Sequence, residues 1–276
     1  YRYIHNQYIV QQSIMTESLE GLRKFHNWIK MQLIFEAQRK TNGHTLLDIA
    51  VGRGGDLMKW SKARLKYITG FDIDNKSIYE KNTFDGAIKR YSSMKHLPNM
   101  PRCYFWNISA IDPFALNIVN SKDNNKIYDI VSCQFSFHYF VNDIDITLNM
   151  ISKKLKTNGY FIGTAADGDV ISSLLSLNNG HFENDTICLK RTDDEGMYSF
   201  ELKSVKSSRE TYFEYRGASI EYFLHKDHLI EKCKNHGLEL IEIKNFSEIY
   251  DNYKYNLTEN EQICSFLNFS FVFKKV

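Results

Sequence analysis

The sequence predicts an α/β fold: a doubly wound parallel sheet carrying an antiparallel β-hairpin insertion. Three observations lead there. Short apolar runs recur at 45–51, 67–73, 103–108, 127–133 and 160–163, with helix-like stretches between them. That alternation implies a parallel sheet covered by helices on both faces. Over 186–223 the texture changes to polar/apolar alternation, as in Tyr198-Ser-Phe-Glu-Leu and Thr211-Tyr-Phe-Glu-Tyr, which is the period of antiparallel hairpins. The helix–strand rhythm then returns, with a helix near 226–236, a strand near 238–243 and a final strand over 268–273.

In chain order, residues 1–20 are polar and irregular and read as an N-terminal extension. Leu22, Phe25, Ile29, Leu33 and Phe35 then recur at the spacing of an amphipathic helix. The first apolar run ends in Gly52-Arg53-Gly54-Gly55, and Asp56 opens the next helical pattern. Further helices fit 75–91 and 143–155. Residues 21–276 form one domain in this reading, with 186–223 as its insertion or lid.

The composition sets limits on function. At 276 residues the chain can bury a sizeable core without staples, and only 3 prolines argue against a linker-rich chain. Thirty-five Lys+Arg against 33 Asp+Glu leave a net charge of +2. A protein that grips a long nucleic-acid backbone shows a larger basic excess, so a duplex binder is disfavoured and binding at a nucleic-acid end is not. Five cysteines, an odd number with no CxxC pair, argue against a disulfide framework and for a reducing, intracellular compartment. No run of about 18 apolar residues exists, so no membrane span is expected. Nor is a signal peptide discernible. The chain opens on Tyr1 rather than Met and reads as a fragment of a longer protein.

Two motifs carry chemistry. Leu46-Leu47-Asp48-Ile49-Ala50-Val51-Gly52-Arg53-Gly54-Gly55-Asp56-Leu57 is a strand, a glycine turn and a helix start. Glycines let the backbone turn sharply and approach a ligand closely. The next strand ends in Asp72 and Asp74, and a carboxylate there can accept from both ribose hydroxyls of a nucleoside cofactor. Asp74 has the alternative of capping the following helix. A dinucleotide and S-adenosylmethionine share this layout. The acidic pair Asp48 and Asp56 disfavours a pyrophosphate and suits an ammonium group, which favours S-adenosylmethionine. The second motif, Gln134-Phe135-Ser136-Phe137-His138-Tyr139, follows the fourth strand, at the strand ends where ligands bind in such sheets.

Together with Lys59-Trp60, these motifs resemble the messenger-RNA cap guanine-N7 methyltransferases, in the form found in capping enzymes of large DNA viruses. The resemblance runs from about Leu22 to the end. It implies a Rossmann-like class I methyltransferase sheet and transfer of a methyl group from S-adenosylmethionine to guanine N7 of the 5′ cap. The family's Asn-Asn-aromatic-x-Lys motif reads His26-Asn27-Trp28-Ile29-Lys30 here. Lys30 would then meet the cofactor carboxylate, and Asn27 with His26 would face the cap. The cofactor set implied is Lys30, Asp48, Gly52, Asp72, Asn107, Gln134, Phe135, Ser136 and Tyr139. Ala50 stands where the family has glycine and Arg53 where it has lysine. For the cap the resemblance points to His138, Tyr139 and Glu221, with Asn268 or its neighbour Phe269 at the place of a family tyrosine. Arg53, Lys59 and Arg90 are candidates for the cap phosphates.

Guanine N7 keeps a free lone pair at neutral pH, so its methylation needs no general base, and none is assigned. His225 and His228 have HxxH spacing but lack a third ligand, so no metal is expected. The resemblance further implies upstream triphosphatase and guanylyltransferase domains, leaves room for a stimulatory subunit, and, if the protein is viral, implies a host cytoplasm or virion. Two alternatives are a ribose 2′-O methyltransferase and a catalytically silent, methyltransferase-like cap-binding module.

Overall fold

The apolar runs become strands in a computed structural model of the chain, which describes residues 19–82, 85–203 and 217–276. The chain begins with α1 (Glu20–Thr41), β1 (Thr45–Ile49), α2 (Leu57–Lys62), β2 (Tyr67–Asp72), α3 (Asn75–Tyr79), α4 (Ala87–Met94) and β3 (Arg102–Asn107). It continues with α5 (Ala115–Asp123), β4 (Tyr128–Gln134), a 3₁₀ turn (Phe137–Asp143), α6 (Ile144–Lys154), β5 (Leu155–Ala166) and α7 (Gly168–Leu177). Next come β6 (His181–Glu183), β7 (Ile187–Arg191), β8 (Met197–Leu202), β9 (Ser219–Tyr222) and α8 (Lys226–Asn235). The last elements are β10 (Leu238–Asn245), α9 (Phe246–Tyr250), α10 (Glu259–Phe266) and β11 (Asn268–Lys275).

Seven strands form one sheet in the order β10-β11-β5-β4-β1-β2-β3. β1 pairs in parallel with both β2 and β4, and the parallel pairs β2–β3 and β4–β5 extend the sheet on either side. Leu46, Leu47 and Ile49 on β1 and Ile130, Val131 and Cys133 on β4 are fully buried, as strands covered on both faces must be. Strand order reverses at β1. Open α/β sheets bind their ligands at such a switch point, beyond the carboxyl ends of the strands.

The sequence pattern differs from the structure in three places. The helix expected over 75–91 is two helices, α3 and α4, with Gly86 between them. A Cβ at Gly86 would lie 2.7 Å from the Ile78 carbonyl oxygen, so only glycine lets the chain double back there. α5 lies in a stretch given no helix, because only Ala115 and Val119 of its apolar residues are buried.

The third difference is the hairpin region. The chain divides into two compact units, and the antiparallel strands belong to the smaller one together with residues from outside 186–223. One comprises 30–165, 225–243 and 270–276 and holds most of the seven-stranded sheet. The other comprises, in its described part, 19–29, 166–203, 217–224 and 244–269. Within it β6, β7, β8 and β9 form an antiparallel sheet in that order. Ile187, Leu189 and Tyr198 of this sheet share a core with Leu22, Ile171, Leu175 and Leu267. Those partners come from distant stretches of sequence, which is why local alternation reads as a mere hairpin. The Thr211–Tyr215 alternation lies outside the described residues.

All five cysteines are buried free thiols. No helix among the described residues is long and apolar enough to cross a membrane.

Candidate functional site

The glycine loop leaves β1 through three left-handed residues: Ala50 (φ 58°), Gly52 (φ 53°) and Gly54 (φ 69°). Glycine takes this conformation freely, whereas alanine does so at a cost of about 1–2 kcal/mol. A Cβ at Gly52 or Gly55 would meet nothing within 4 Å, so open space lies against the loop and a ligand can approach its backbone. The Gly52 amide donates to Asp72 Oδ2 at 2.8 Å, and the Asp74 amide donates to Asp72 Oδ1 at 2.8 Å. Each Asp72 oxygen keeps a second lone pair for a hydroxyl donor. Burial raises the Asp72 pKa above its ordinary value. Asp74 caps α3, accepting from the amides of Lys76 and Ser77 at 3.0 Å each.

Asn107 ends β3, with Asp72 as its register partner on β2. Its amide nitrogen donates to the carbonyls of Asp72 (2.9 Å) and Ile73 (2.7 Å). This orientation leaves Oδ1 as the group's acceptor, the polarity an adenine amino group needs.

The acidic pair behaves differently from the sequence expectation. Asp56 faces the chain's own cations: Lys30 Nζ at 2.9 Å and Lys59 Nζ at 2.7 Å, all three side chains nearly excluded from solvent. Burial alone would raise the Asp56 pKa, but Lys30 and Lys59 bring it down to about 2. Lys59 also reaches the Gly55 carbonyl. Its ammonium is thus buried against Asp56 rather than presented to phosphates, and burial lowers its pKa. Asp48 feels the Lys30 charge and a hydrogen bond from the Ser132 side chain, but these do not offset its burial. Burial, and next the Asp56 charge, hold its pKa well above the usual range. Of the other two phosphate candidates, Arg90 donates to the Arg53 carbonyl at 3.1 Å, and both side chains are half-buried.

The second motif leaves β4 beside the glycine loop, because Asp48 and Ile49 pair with Ser132 and Cys133. Phe135 takes φ 57°, and its amide donates to the Thr164 carbonyl at 2.8 Å. The Gln134 side chain is pinned from both ends. It donates to Ser132 Oγ at 3.1 Å and accepts from Thr164 Oγ1 at 3.2 Å. Ser136 Oγ donates to the Gln134 carbonyl. Gln134 and Ser136 therefore shape the turn through bonds within the chain. The aromatic stretch then divides. Phe137 joins the core against Phe161 and Phe271, His138 is buried, and Tyr139 is 41% exposed with its ring 4.3 Å from that of His138.

The other unit carries the remaining candidates. His26 is buried with Nε2 3.1 Å from Ser265 Oγ and its ring against Phe246. Asn27 donates to the Arg23 carbonyl one helical turn back. Glu221 is buried and accepts from Tyr198 OH at 2.7 Å and Ser219 Oγ at 2.9 Å. Asn268 donates to the last carbonyls of α10, those of Cys264 and Ser265, and so closes that helix, while Phe269 is core.

The structure thus brings Asp48, Gly52, Asp72, Asn107 and Gln134 to neighbouring strand ends of one sheet. Sequence reading missed Thr164 and Tyr198. Both are found only through strand register, Gln134 opposite Thr164 and Tyr198 opposite Glu221.

Known proteins resemble this chain in sequence and in fold. A family model described as the mRNA (guanine-N(7))-methyltransferase domain matches residues 3–268. A similar curated protein is the "Probable mRNA-capping enzyme" of Acanthamoeba polyphaga mimivirus, 34% identical over 285 residues, with 89% of this chain and 23% of that protein covered. The mRNA cap guanine-N(7) methyltransferase of Caenorhabditis briggsae is 30% identical over 252 residues, with 84% and 62% covered. The chain therefore spans less than two thirds of the length of these relatives. Among solved structures, an S-adenosylmethionine-dependent methyltransferase from Clostridium acetobutylicum shares the fold, with a TM-score of 0.56 at 17% identity over 100% of this chain and 99% of that one.

Proposed function

The chain belongs to the mRNA (guanine-N(7))-methyltransferase family, and from that premise we propose that it transfers a methyl group from S-adenosylmethionine to guanine N7 of the 5′ cap of mRNA. The observation that carries this reading is the convergence of Asp48, the open Gly52 loop and Asp72 at the switch point of the sheet.

The residues present fit the cofactor. Asp72 accepts from the ribose hydroxyls with its remaining lone pairs. Asn107 Oδ1 accepts from the adenine amino group. The Gly52 backbone lies against the amino-acid end, whose ammonium Asp48 attracts. Lys30 meets the carboxylate from its seat on Asp56. When bound, the cofactor supplies a methyl group on a sulfonium.

The protein's contribution is alignment. Guanine N7 attacks with its own lone pair, so no side chain has to remove a proton. Holding donor and acceptor in line is worth about 7–11 kcal/mol in favourable systems. His138 hydrogen-bonds the guanine, Tyr139 lends an aromatic face, and Glu221 accepts from the guanine N1–H and amino group. Tyr139 and Glu221 also favour the positive charge that develops on the purine. Arg53 and Arg90 meet the cap phosphates, with Lys59 acting through Asp56. In the full-length protein the reading adds triphosphatase and guanylyltransferase domains and an intracellular site of action.

Isothermal calorimetry tests the cofactor half. S-adenosylmethionine should bind with one site per chain, and Asp72→Ala should abolish binding. A folded chain that binds a cap analogue but no S-adenosylmethionine would be a silent cap-binding module instead.

A further inference from the structure

Outside the site described above, the small antiparallel sheet carries a cluster of three unlike donors. His181 and Glu183 stand two residues apart on β6 and so face the same way. Strand pairing sets Cys188 of β7 opposite Glu183. His181 Nε2 lies 3.2 Å from Glu183 Oε2 and 3.6 Å from Cys188 Sγ, and the three donor atoms all lie within 4.8 Å of one another. We propose that His181, Glu183 and Cys188 bind a zinc ion, which ties β6 to β7.

With Zn–S about 2.3 Å and Zn–N or Zn–O about 2.0–2.1 Å, tetrahedral angles set the S···N edge at about 3.6 Å and the N···O edge at about 3.3 Å. The observed 3.6 and 3.2 Å match these two edges, and the third, between Glu183 and Cys188, is within 4.8 Å, so a small turn of the half-exposed glutamate closes the site. A thiolate, an imidazole and a carboxylate are also the donor types that zinc selects. Three protein ligands leave the fourth position for water.

The surroundings suit the same reading. Lys203 ion-pairs with Glu183 through Oε1, the carboxylate oxygen away from His181. It can hold the carboxylate while Oε2 binds the metal, as outer-shell partners of ligating carboxylates do. His181 and Glu183 are about half exposed, with side-chain exposures of 48% and 45%, while Cys188 is buried. Solvent thus reaches the cluster from the histidine and glutamate side, which gives the ion an entry path. On binding, the Cys188 S–H bond breaks, the zinc–sulfur bond forms and the proton passes to solvent. The spacing H-x-E-x₄-C resembles no paired-ligand motif, so the cluster becomes visible only when β6 pairs with β7.

The test uses the metal-free full chain. Zn²⁺ is titrated by calorimetry in buffers of different ionisation heat, and Co²⁺ serves as the optical probe. One ion should bind per chain with release of a proton, and Co²⁺ should show a thiolate-to-metal charge-transfer band. Cys188→Ser should remove that band. His181→Ala and the surface change Glu183→Gln should each weaken Zn²⁺ binding by about 10-fold or more. Cys103→Ser, at a buried thiol in the other unit, should leave binding unchanged. The proposal is overturned if no saturable binding is seen, if the band survives Cys188→Ser, or if Glu183→Gln binds Zn²⁺ as tightly as the parent.

Discussion

Lys30 and Asp56 pair at 2.9 Å with only 11% and 7% of their side chains exposed, and Lys59 joins the same carboxylate oxygen at 2.7 Å. A residue on α1 and one after the glycine loop are thereby locked together through charge. The loop's own acid is satisfied from inside the chain, and Asp48, buried on β1, is the carboxylate that the proposed function sets against an incoming ammonium.

Asp56→Asn should therefore be severe. It strands two buried ammonium groups, and breaking a buried pair this way typically costs about 3–5 kcal/mol. The sign with pH follows from the same contacts. The folded pKa of Asp56, about 2, is below its ordinary 3.8, so its stabilisation is complete above the ordinary value and is lost as pH falls toward 2. Urea unfolding between pH 6 and 2 should show a larger drop in the parent than in Asp56→Asn, where the other ion-paired carboxylates still titrate.

Asp48 should behave oppositely. Burial and the Asp56 charge raise its folded pKa, so its protonated form favours folding and that contribution fades as pH rises. Asp48→Asn should raise stability at pH 7 and above relative to the parent, with the gap narrowing as pH falls. The same variant should lose S-adenosylmethionine affinity by calorimetry. Unchanged affinity would remove Asp48 from the cofactor's ammonium.

Ala50 occupies a left-handed position where the methyl is a burden. Ala50→Gly should raise stability by about 1 kcal/mol, after allowance for glycine's extra freedom in the unfolded chain. The shift should appear in the urea midpoint with the denaturant slope unchanged. A destabilised variant would mean that the loop relaxes around alanine.

The chain's net charge is only +2, and Lys59, one of its three phosphate candidates, is secluded on Asp56. Cap-analogue affinity should then fall only shallowly with salt, as expected for two or three released counterions, and longer RNA should add little. A steep slope with strong length dependence would reveal a basic path along the RNA.

Much of the fold was legible because its signals are local. The strands of the parallel sheet are buried on both faces and read as unbroken apolar runs, and the glycine loop and Asp72 announce themselves by spacing. The rest depends on contacts that spacing does not encode. Nothing near Asp56 in sequence marks Lys30 as its partner, so an acid that looked available to a ligand is in fact spent. Nothing near Gln134 in sequence marks Thr164 of β5 as the group that holds its side chain. The small sheet reads as a hairpin because the residues that complete its core, Leu22 and Leu267, lie at opposite ends of the chain.

The most direct measurement is a single-turnover reaction of the chain with methyl-labelled S-adenosylmethionine and an unmethylated capped RNA, followed by digestion and location of the label. The account predicts label on guanine N7 alone, at a rate nearly independent of pH from about 6 to 9, since N7 keeps its lone pair throughout that range and no general base titrates. Label on a ribose 2′-oxygen, or a rate that climbs with pH as a base deprotonates, would contradict it.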